Sequence, residues 1–135
     1  MSKVAGKIME KFESEGFELL GARLLKMTKE EACRFYIEHK DRDFYSSLTD
    51  FISSNPCLVT VWGADEAIKR SRGIIGGTDP AGAAAGTIRR MWAGDTRHNV
   101  VHGSDSPESA AREIEFFFSG GKGLYSWEPK DYRME

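Results

Sequence analysis

The sequence predicts an α/β sandwich, with helices covering one sheet, and three observations support this prediction. Apolar residues recur at helical spacing in several segments, short apolar runs typical of strands alternate with these segments, and clusters of Gly, Pro, Ser and Asn separate them. Alternating helices and strands are typical of helices packed on a sheet. A chain of 135 residues suits a single domain, 1–135, that buries a substantial core without disulfides.

Periodicity and capping signals define the first four elements. Apolar residues at helical spacing predict an amphipathic helix over 4–15, which Gly16 ends. The leucine- and aromatic-rich run 17–27 predicts a strand. The next sequence, Thr-Lys-Glu-Glu, has the spacing of a capping box and predicts a helix over 29–39. Apolar positions over 44–52 predict another helix, which a Ser-Ser-Asn-Pro sequence ends.

The second half of the chain contains four further predicted elements. The apolar run 57–62 predicts a buried strand, and helical spacing over 64–75 predicts a helix that stops at two glycines. A loop rich in Gly, Ala and Pro and an irregular segment follow. A short apolar run then predicts a strand over 99–102, and helical spacing predicts a helix over 107–118.

The composition argues against several functional classes. The formal net charge is −2, 40% of the residues are hydrophobic, and no apolar run approaches the length of a membrane span. We therefore expect no membrane partner and no dedicated nucleic-acid binding. Cys33 and Cys57 have neither metal-ligand nor disulfide-framework spacing, and the start resembles no secretory signal. The expected compartment is a reducing cytoplasm.

The segment 69–97 of this acidic chain is locally basic. Arginine presents a planar set of donors that suits phosphate oxygens, so the segment favours a phosphorylated substrate. From charge alone, a solvated helix face is an equally open interpretation. The cations and acids of the segment are Lys69, Arg70, Arg72, Arg89, Arg90 and Arg97 against Asp79 and Asp95.

The segment 99–107 places a histidine between an apolar strand and a capped helix start. Ser106 is the expected N-cap, and Pro107 is the expected first helical residue. Backbone donors converge at a helix start, so a nucleophilic imidazole at His102 would face a favourable site for phosphate. Taken alone, a histidine after a strand is more often a packed or surface residue. Spacing alone likewise favours a solvated helical side chain for Glu113.

The motif Asn-x-x-His-Gly-Ser-Asp-Ser closely resembles the signature of nucleoside diphosphate kinases, and the similarity covers nearly all of the chain. The resemblance implies a ferredoxin-like antiparallel sheet covered by helices, with the usual first strand absent or replaced. It also implies transfer of the terminal phosphate of a nucleoside triphosphate to a nucleoside diphosphate, by a ping-pong mechanism through phosphohistidine at His102. The family's N-terminal Lys-Pro-Asp motif has no counterpart in this sequence. The alternative is therefore a catalytically impaired member that binds nucleotides or forms oligomers.

The resemblance assigns roles to individual residues. Glu113 is expected to orient the imidazole, Ser104 to hydrogen-bond that glutamate, and Tyr36 to lie beside the histidine. The expected phosphate ligands and nucleoside contacts, respectively, are Arg72, Thr78 and Arg89, and Phe44, Leu48 and Asn99. From the residues alone, the tyrosine, phenylalanine and leucine are equally typical of helix core.

Cofactors and partners follow from the same resemblance. The reaction class implies Mg²⁺ bound through the nucleotide phosphates. No His/Cys cluster or aspartate pair in the sequence suggests a metal site built by the protein. ATP and other nucleoside tri- and diphosphates are the expected partners. The chain is also expected to form a homo-oligomer, a tetramer or hexamer built from dimers.

Overall fold

The computed structural model describes residues 5–37, 40–43, 45–76 and 101–125. Helices and an antiparallel sheet place the fold in the α+β class. The elements are, in chain order, α1 (Ala5–Ser14), β1 (Glu18–Leu25), α2 (Lys29–Phe35), α3 (Tyr45–Ser54), β2 (Cys57–Gly63), α4 (Ala67–Ile75), α5 (Pro107–Phe117) and a 3-10 turn (Ser119–Gly121).

β1 and β2 pair as an antiparallel ladder, which is the sheet of the described residues. Its register runs from Glu18 opposite Gly63 to Leu25 opposite Cys57. Both strands coincide with apolar runs of the sequence, although β1 is shorter at each end than the predicted 17–27. α1 packs against both β1 and α4.

A bulge in β1 attaches the C-terminal segment to the sheet. The register shifts between Leu19 and Gly21, and the carbonyl of the extra residue, Leu20, accepts a 2.8 Å hydrogen bond from the N–H of Tyr125. A Cβ on Gly21 would lie 2.7 Å from Leu124 Cδ2, so the close approach of the two segments requires glycine there.

The hydrophobic core lies between α1, α4 and the sheet. Phe12 of α1 stacks on Trp62 of β2, with ring centroids 5.3 Å apart. The same core receives Val101, which is partly buried and leads into the segment containing His102. Packing here fixes the position of that segment relative to α4. The buried residues of this core are Phe12, Phe17, Ile74 and Ile75.

α2 and α3 form a helical hairpin that begins with a complete capping box. The Thr28 side chain accepts from the backbone N–H of Glu31, whose carboxylate accepts in return from the N–H of Thr28. Lys29 then joins the helices: its ammonium group donates to Thr49 Oγ1 at 2.7 Å and pairs with Asp50 Oδ1 at 2.5 Å. The reciprocal bonds of Thr28 and Glu31 are the capping box predicted from the sequence.

Two predicted helix boundaries differ from the structure by several residues. The helix predicted over 29–39 ends at Phe35, because Tyr36 leaves helical geometry and packs its ring edge-on against neighbouring aromatic groups. The helix predicted over 64–75 begins at Ala67, because Glu66 has a left-handed conformation with φ 51°, which a helix interior does not contain. These constraints come from tertiary contacts and backbone conformation, which helical spacing does not record.

The strand predicted over 99–102 is also not observed where the structure describes it. Val101 and His102 belong to neither a helix nor a strand, and residues 99 and 100 lie outside the described ranges. A β-branched run forms a strand only if another strand accepts its backbone groups, and spacing cannot reveal that partner.

Along the described ranges, no helix is long and apolar enough to cross a membrane.

Candidate active site

His102 precedes a well-capped helix. The Ser106 side chain accepts a 3.0 Å hydrogen bond from the N–H of Ser109, and Pro107 occupies the first turn of α5. This is the cap predicted from the sequence, and it fixes the point at which the chain enters α5. The backbone before the cap must also approach α4 closely, because a Cβ on Gly103 would lie 2.6 Å from Ile75 Cδ1.

The centre of the candidate site is a carboxylate shared by two donors. His102 Nε2 lies 3.0 Å from Glu113 Oε1, and the hydroxyl of Ser104 donates to the same oxygen at 2.7 Å. The imidazole is 41% exposed, whereas the Glu113 side chain is only 12% exposed. A largely buried carboxylate thus contacts an imidazole whose other side can meet a ligand from solvent.

The charge on Glu113 determines the histidine tautomer. Burial by itself raises the pKa of Glu113, but the hydrogen bond and charge of His102, the Ser104 hydroxyl and the Arg112 charge lower the pKa below its ordinary value of 4.5. An ionised carboxylate can only accept hydrogen bonds, so the proton of the neutral imidazole resides on Nε2. The lone pair then resides on Nδ1, which has no hydrogen-bond partner among the residues that the structure describes.

The C-terminal end of α2 forms an aromatic wall beside His102. The Phe35 and Tyr36 rings meet the imidazole edge-on, with centroids 5.4 Å and 5.7 Å away. Both rings are about 7% exposed and therefore move little. The predicted placement of Tyr36 beside the histidine is present, and the wall limits the directions in which the imidazole can turn.

A cation lies on the α4 side of the site. Arg72 is exposed in the last turn of α4. The hydrogen bond with the Ser109 side chain has the largest effect on the pKa of Asp105 and lowers it; burial opposes this effect, and the Asp105 backbone and the charges of Arg72 and His102 lower the pKa further. Arg72 and His102 thus both act on the Asp105 carboxylate.

The remaining predicted site residues fall into two groups. Leu48 is half-buried on α3, the helix that packs on α2. The others lie outside the described residues, so their predicted roles stay predictions. These residues are Phe44, Thr78, Arg89 and Asn99.

Two residues that contact the site were not predicted from the sequence. Phe35 contacts the His102 ring, and Arg112 Nη2 lies 3.5 Å from Glu113 Oε2. Ala32, Phe35 and Tyr36 form an apolar face at helical spacing, which could have identified Phe35 as buried but not as a neighbour of His102. No sequence signal marks Arg112, because it reaches across to the carbonyl of Phe35, 77 residues away.

The comparisons with known proteins agree on one family. The family profile described as Nucleoside diphosphate kinase matches residues 1–122. The nucleoside diphosphate kinase of Psychromonas ingrahamii is 51% identical over 116 residues, covering 86% of this chain and 81% of that protein. The enzyme of Persephonella marina is 50% identical over 114 residues, covering 84% of this chain and 81% of the relative.

Solved structures give the same result. The Aquifex aeolicus nucleoside diphosphate kinase superposes with a TM-score of 0.87 at 41% identity, covering 90% of this chain and 88% of that one. A halophilic nucleoside diphosphate kinase from Halobacterium salinarum, solved in complex with CDP, gives a TM-score of 0.88 at 34% identity. The superposition covers 93% of this chain and 84% of the Halobacterium chain. These values support the ferredoxin-like fold expected from the sequence.

Proposed function

The chain belongs to the nucleoside diphosphate kinase family of phosphotransferases, and we propose that it transfers the terminal phosphate of a nucleoside triphosphate to a nucleoside diphosphate through a phosphohistidine at His102. The observation that carries this proposal is the 3.0 Å contact between His102 Nε2 and Glu113 Oε1. It engages one ring nitrogen and leaves the lone pair of the other available. That arrangement is the one a nucleophilic imidazole requires.

The proposed reaction has two displacements at phosphorus, and the same histidine nitrogen is the nucleophile in the first and the leaving group in the second. His102 Nδ1 attacks the terminal phosphorus of the triphosphate, an N–P bond forms, and the bond from phosphorus to the bridging oxygen breaks with release of the diphosphate. As the imidazole becomes cationic, the ionised Glu113 stabilises it through the Nε2 hydrogen bond. An oxygen of a second diphosphate then attacks the phosphorus of the phosphohistidine, a P–O bond forms, and the N–P bond breaks with return of its electron pair to Nδ1, which restores the neutral ring.

Other residues of the proposal bind the substrate. Arg72 supplies positive charge on the α4 side of the site, and we assign Thr78 and Arg89 to the phosphates as well. Phe44 and Leu48 are assigned to the nucleoside base. Asn99 is assigned to the sugar. Two observations support these assignments: the charge of Arg72 acts on Asp105 near His102, and Leu48 lies on α3, which packs on the helix that carries the aromatic wall.

The proposal assigns Mg²⁺ to the nucleotide phosphates. Among the described residues, no group of three or more His, Cys, Asp and Glu side chains could hold a metal ion. The donors that suit Mg²⁺ are then the phosphate oxygens and water, with Arg72 sharing the phosphate charge. When bound, the ion would neutralise charge that develops on the transferring group.

Nucleotides are the partners that this reaction requires, and we propose a homo-oligomer located in the cytoplasm. The family relationship supports the oligomer, and two apolar cross-strand partners, Leu24 and Leu58, are 69% and 38% exposed. Light scattering coupled to size-exclusion chromatography tests it: a mass equal to one 15.1 kDa chain would contradict the oligomer.

Labelling of the protein tests the phosphohistidine. Incubation with ATP labelled at the terminal phosphate is expected to give a protein-bound label that is stable in alkali and lost in acid, and addition of unlabelled diphosphate is expected to remove it. His102→Ala is expected to abolish the label. The Glu108→Gln variant is a control, because Glu108 is exposed in the first turn of α5.

Two outcomes would contradict the proposal. A label that persists in folded His102→Ala would place the phosphate elsewhere. Nucleotide binding by calorimetry without any label would instead favour the catalytically impaired nucleotide-binding member.

A further inference from the structure

We propose that Arg112 is a positioning residue that holds the Glu113 carboxylate in the orientation needed for phosphorylation of His102, an inference that rests on the proposed phosphohistidine reaction. The starting observation is that the two oxygens of this carboxylate have different neighbours. Oε1 faces His102 Nε2 and the Ser104 hydroxyl, whereas Oε2 lies 3.5 Å from Arg112 Nη2. The guanidinium therefore occupies the oxygen that the imidazole does not use.

The Arg112–Glu113 contact depends on a second anchor. Consecutive residues of a helix point about 100° apart, so their side chains do not meet by helical geometry alone. Here the guanidinium also donates through Nη1 to the carbonyl of Phe35, at 3.4 Å. With one end held at Phe35, the other end remains beside Glu113 Oε2.

The anchor lies at a favourable place for a cation. Phe35 is the last residue of α2, and the carbonyls of a final helical turn have no partner within their helix. They also carry the negative end of the helix dipole, which attracts an arginine. The Phe35 ring in turn contacts the His102 ring. Arg112 thus connects the carboxylate that orients the imidazole to the aromatic wall that packs against it.

Arg112 also influences the charge state of Glu113. Burial raises the pKa of this carboxyl, and the groups that lower it are His102, Ser104 and Arg112. The elements around Glu113 present these groups: His102, Ser104 and Asp105 from the loop before α5, and a backbone carbonyl and aromatic rings from α2. Removal of the Arg112 charge should therefore raise the pKa of Glu113. The acidic limb of the rate of His102 phosphorylation should move to higher pH, because protonated Glu113 no longer stabilises the imidazolium.

Single-turnover labelling tests this role with three variants of the full chain. Arg112→Met is expected to slow phosphorylation of His102 by roughly 10-fold, with an unchanged dissociation constant for ATP, and to shift the acidic limb to higher pH. Arg112→Lys keeps the charge, so its acidic limb is expected to lie close to that of the wild type, whereas its rate of His102 phosphorylation is expected to remain reduced. Arg34→Met is the matched control: Arg34 also lies between α2 and α5, but it contacts the Phe116 ring, with its guanidinium carbon 5.7 Å from the centroid.

The outcomes separate the inference from the proposed function. An unlabelled wild-type protein would overturn the phosphohistidine reaction itself. A labelled wild type with an Arg112→Met variant of equal rate and equal acidic limb would overturn only the role of Arg112. A reduced rate with an unchanged limb, or an equal loss in Arg34→Met, would indicate general destabilisation and would also overturn it. If Arg112→Met does not fold, Arg112→Gln replaces it in the same comparison.

Discussion

The hydroxyl of Ser104 donates a 2.7 Å hydrogen bond to Oε1 of Glu113, the same oxygen that faces the His102 imidazole. A carboxylate oxygen with two donors has little freedom to rotate, so the serine fixes the direction from which the carboxylate meets the ring. The short segment between His102 and Ser104 therefore supplies both the nucleophile and part of the support for its orienting group.

Removal of the Ser104 hydroxyl should slow the proposed reaction. A typical hydrogen bond contributes about 0.5–1.5 kcal/mol, and more when one partner is charged, so Ser104→Ala is expected to slow His102 phosphorylation by about 10-fold. Ser104→Thr, which keeps the hydroxyl, should be less affected. Quenched-flow labelling with radioactive ATP measures the rate.

Ser119→Ala is the control for this substitution. It removes a hydroxyl that bonds the carbonyl of Glu115 at the far end of α5, and the labelling rate should remain that of the wild type. A Ser104→Ala protein that labels at the wild-type rate would contradict a supporting role for Ser104.

Glu113 should make stability depend on pH. Its pKa is lower in the folded protein than its ordinary value of 4.5, so between the two values the folded state binds fewer protons than the unfolded state. The free energy of unfolding therefore rises with pH across this window: the contribution is complete above the ordinary value and is lost as pH falls through the folded value. Glu113→Gln should lack this contribution.

Urea unfolding of both proteins at a series of pH values, from about pH 7 to about pH 3, measures the difference. The difference is needed because the capping interactions of Glu31 and the contacts of Asp105 also lower their pKa values and add to the wild-type slope. Parallel curves for the wild type and Glu113→Gln would rule out a depressed pKa at Glu113.

The sequence predicted best what depends on residues close together in the chain. The capping box of Thr28 and Glu31 and the Ser106 cap each involve residues three positions apart, and both are present. The local pattern of side chains fixes these two caps, so they can be inferred without knowledge of the tertiary structure. The contact of Glu113 with the imidazole is also present, but the resemblance implied it, since spacing alone favoured a solvated glutamate.

Features that depend on distant contacts could not be predicted in this way. The early end of α2 involves Tyr36 packing on His102, and the anchor of Arg112 is the carbonyl of Phe35. Each joins segments far apart in sequence, and helical spacing carries no information about which segments meet. The strand expected over 99–102 is not present at Val101 and His102, and residues 99 and 100 lie outside the described residues. An apolar run does not identify the strand with which it would pair.

Lys29 should stabilise the hairpin that carries Leu48. Its ammonium group links α2 to α3 by contacting both the fully buried Thr49 and the exposed Asp50. The exposed ion pair contributes little because solvent screens it, but loss of the bond to Thr49 should reduce the free energy of unfolding by about 1 kcal/mol in Lys29→Met. Because α3 carries Leu48, the KM for nucleotides should rise more than kcat falls.

Chemical denaturation and steady-state kinetics measure these two effects. Lys26→Met is the matched control, since Lys26 is exposed just before α2. An unchanged KM in Lys29→Met, together with lower stability, would show that the hairpin does not contribute to nucleotide binding.

Gly103 should be required for the contact between the His102 segment and α4. A Cβ at this position would lie 2.6 Å from Cδ1 of Ile75, a side chain only 4% exposed and therefore unable to swing away. Gly103→Ala is expected to lower the free energy of unfolding by about 1–3 kcal/mol, as overpacking of a core does. It should also slow His102 phosphorylation, because the adjacent backbone must shift.

A double-mutant cycle identifies the clash as the cause. Ile75→Val removes Cδ1 and by itself should cost about 0.5–1.5 kcal/mol, yet the double variant should be more stable than the sum of the two single losses. Gly73→Ala is the control on α4: no atom lies within 4 Å of its added Cβ, so it should stabilise the helix by about 0.5–1 kcal/mol. Additive losses in the cycle would show that the effect of Gly103→Ala does not come from Ile75.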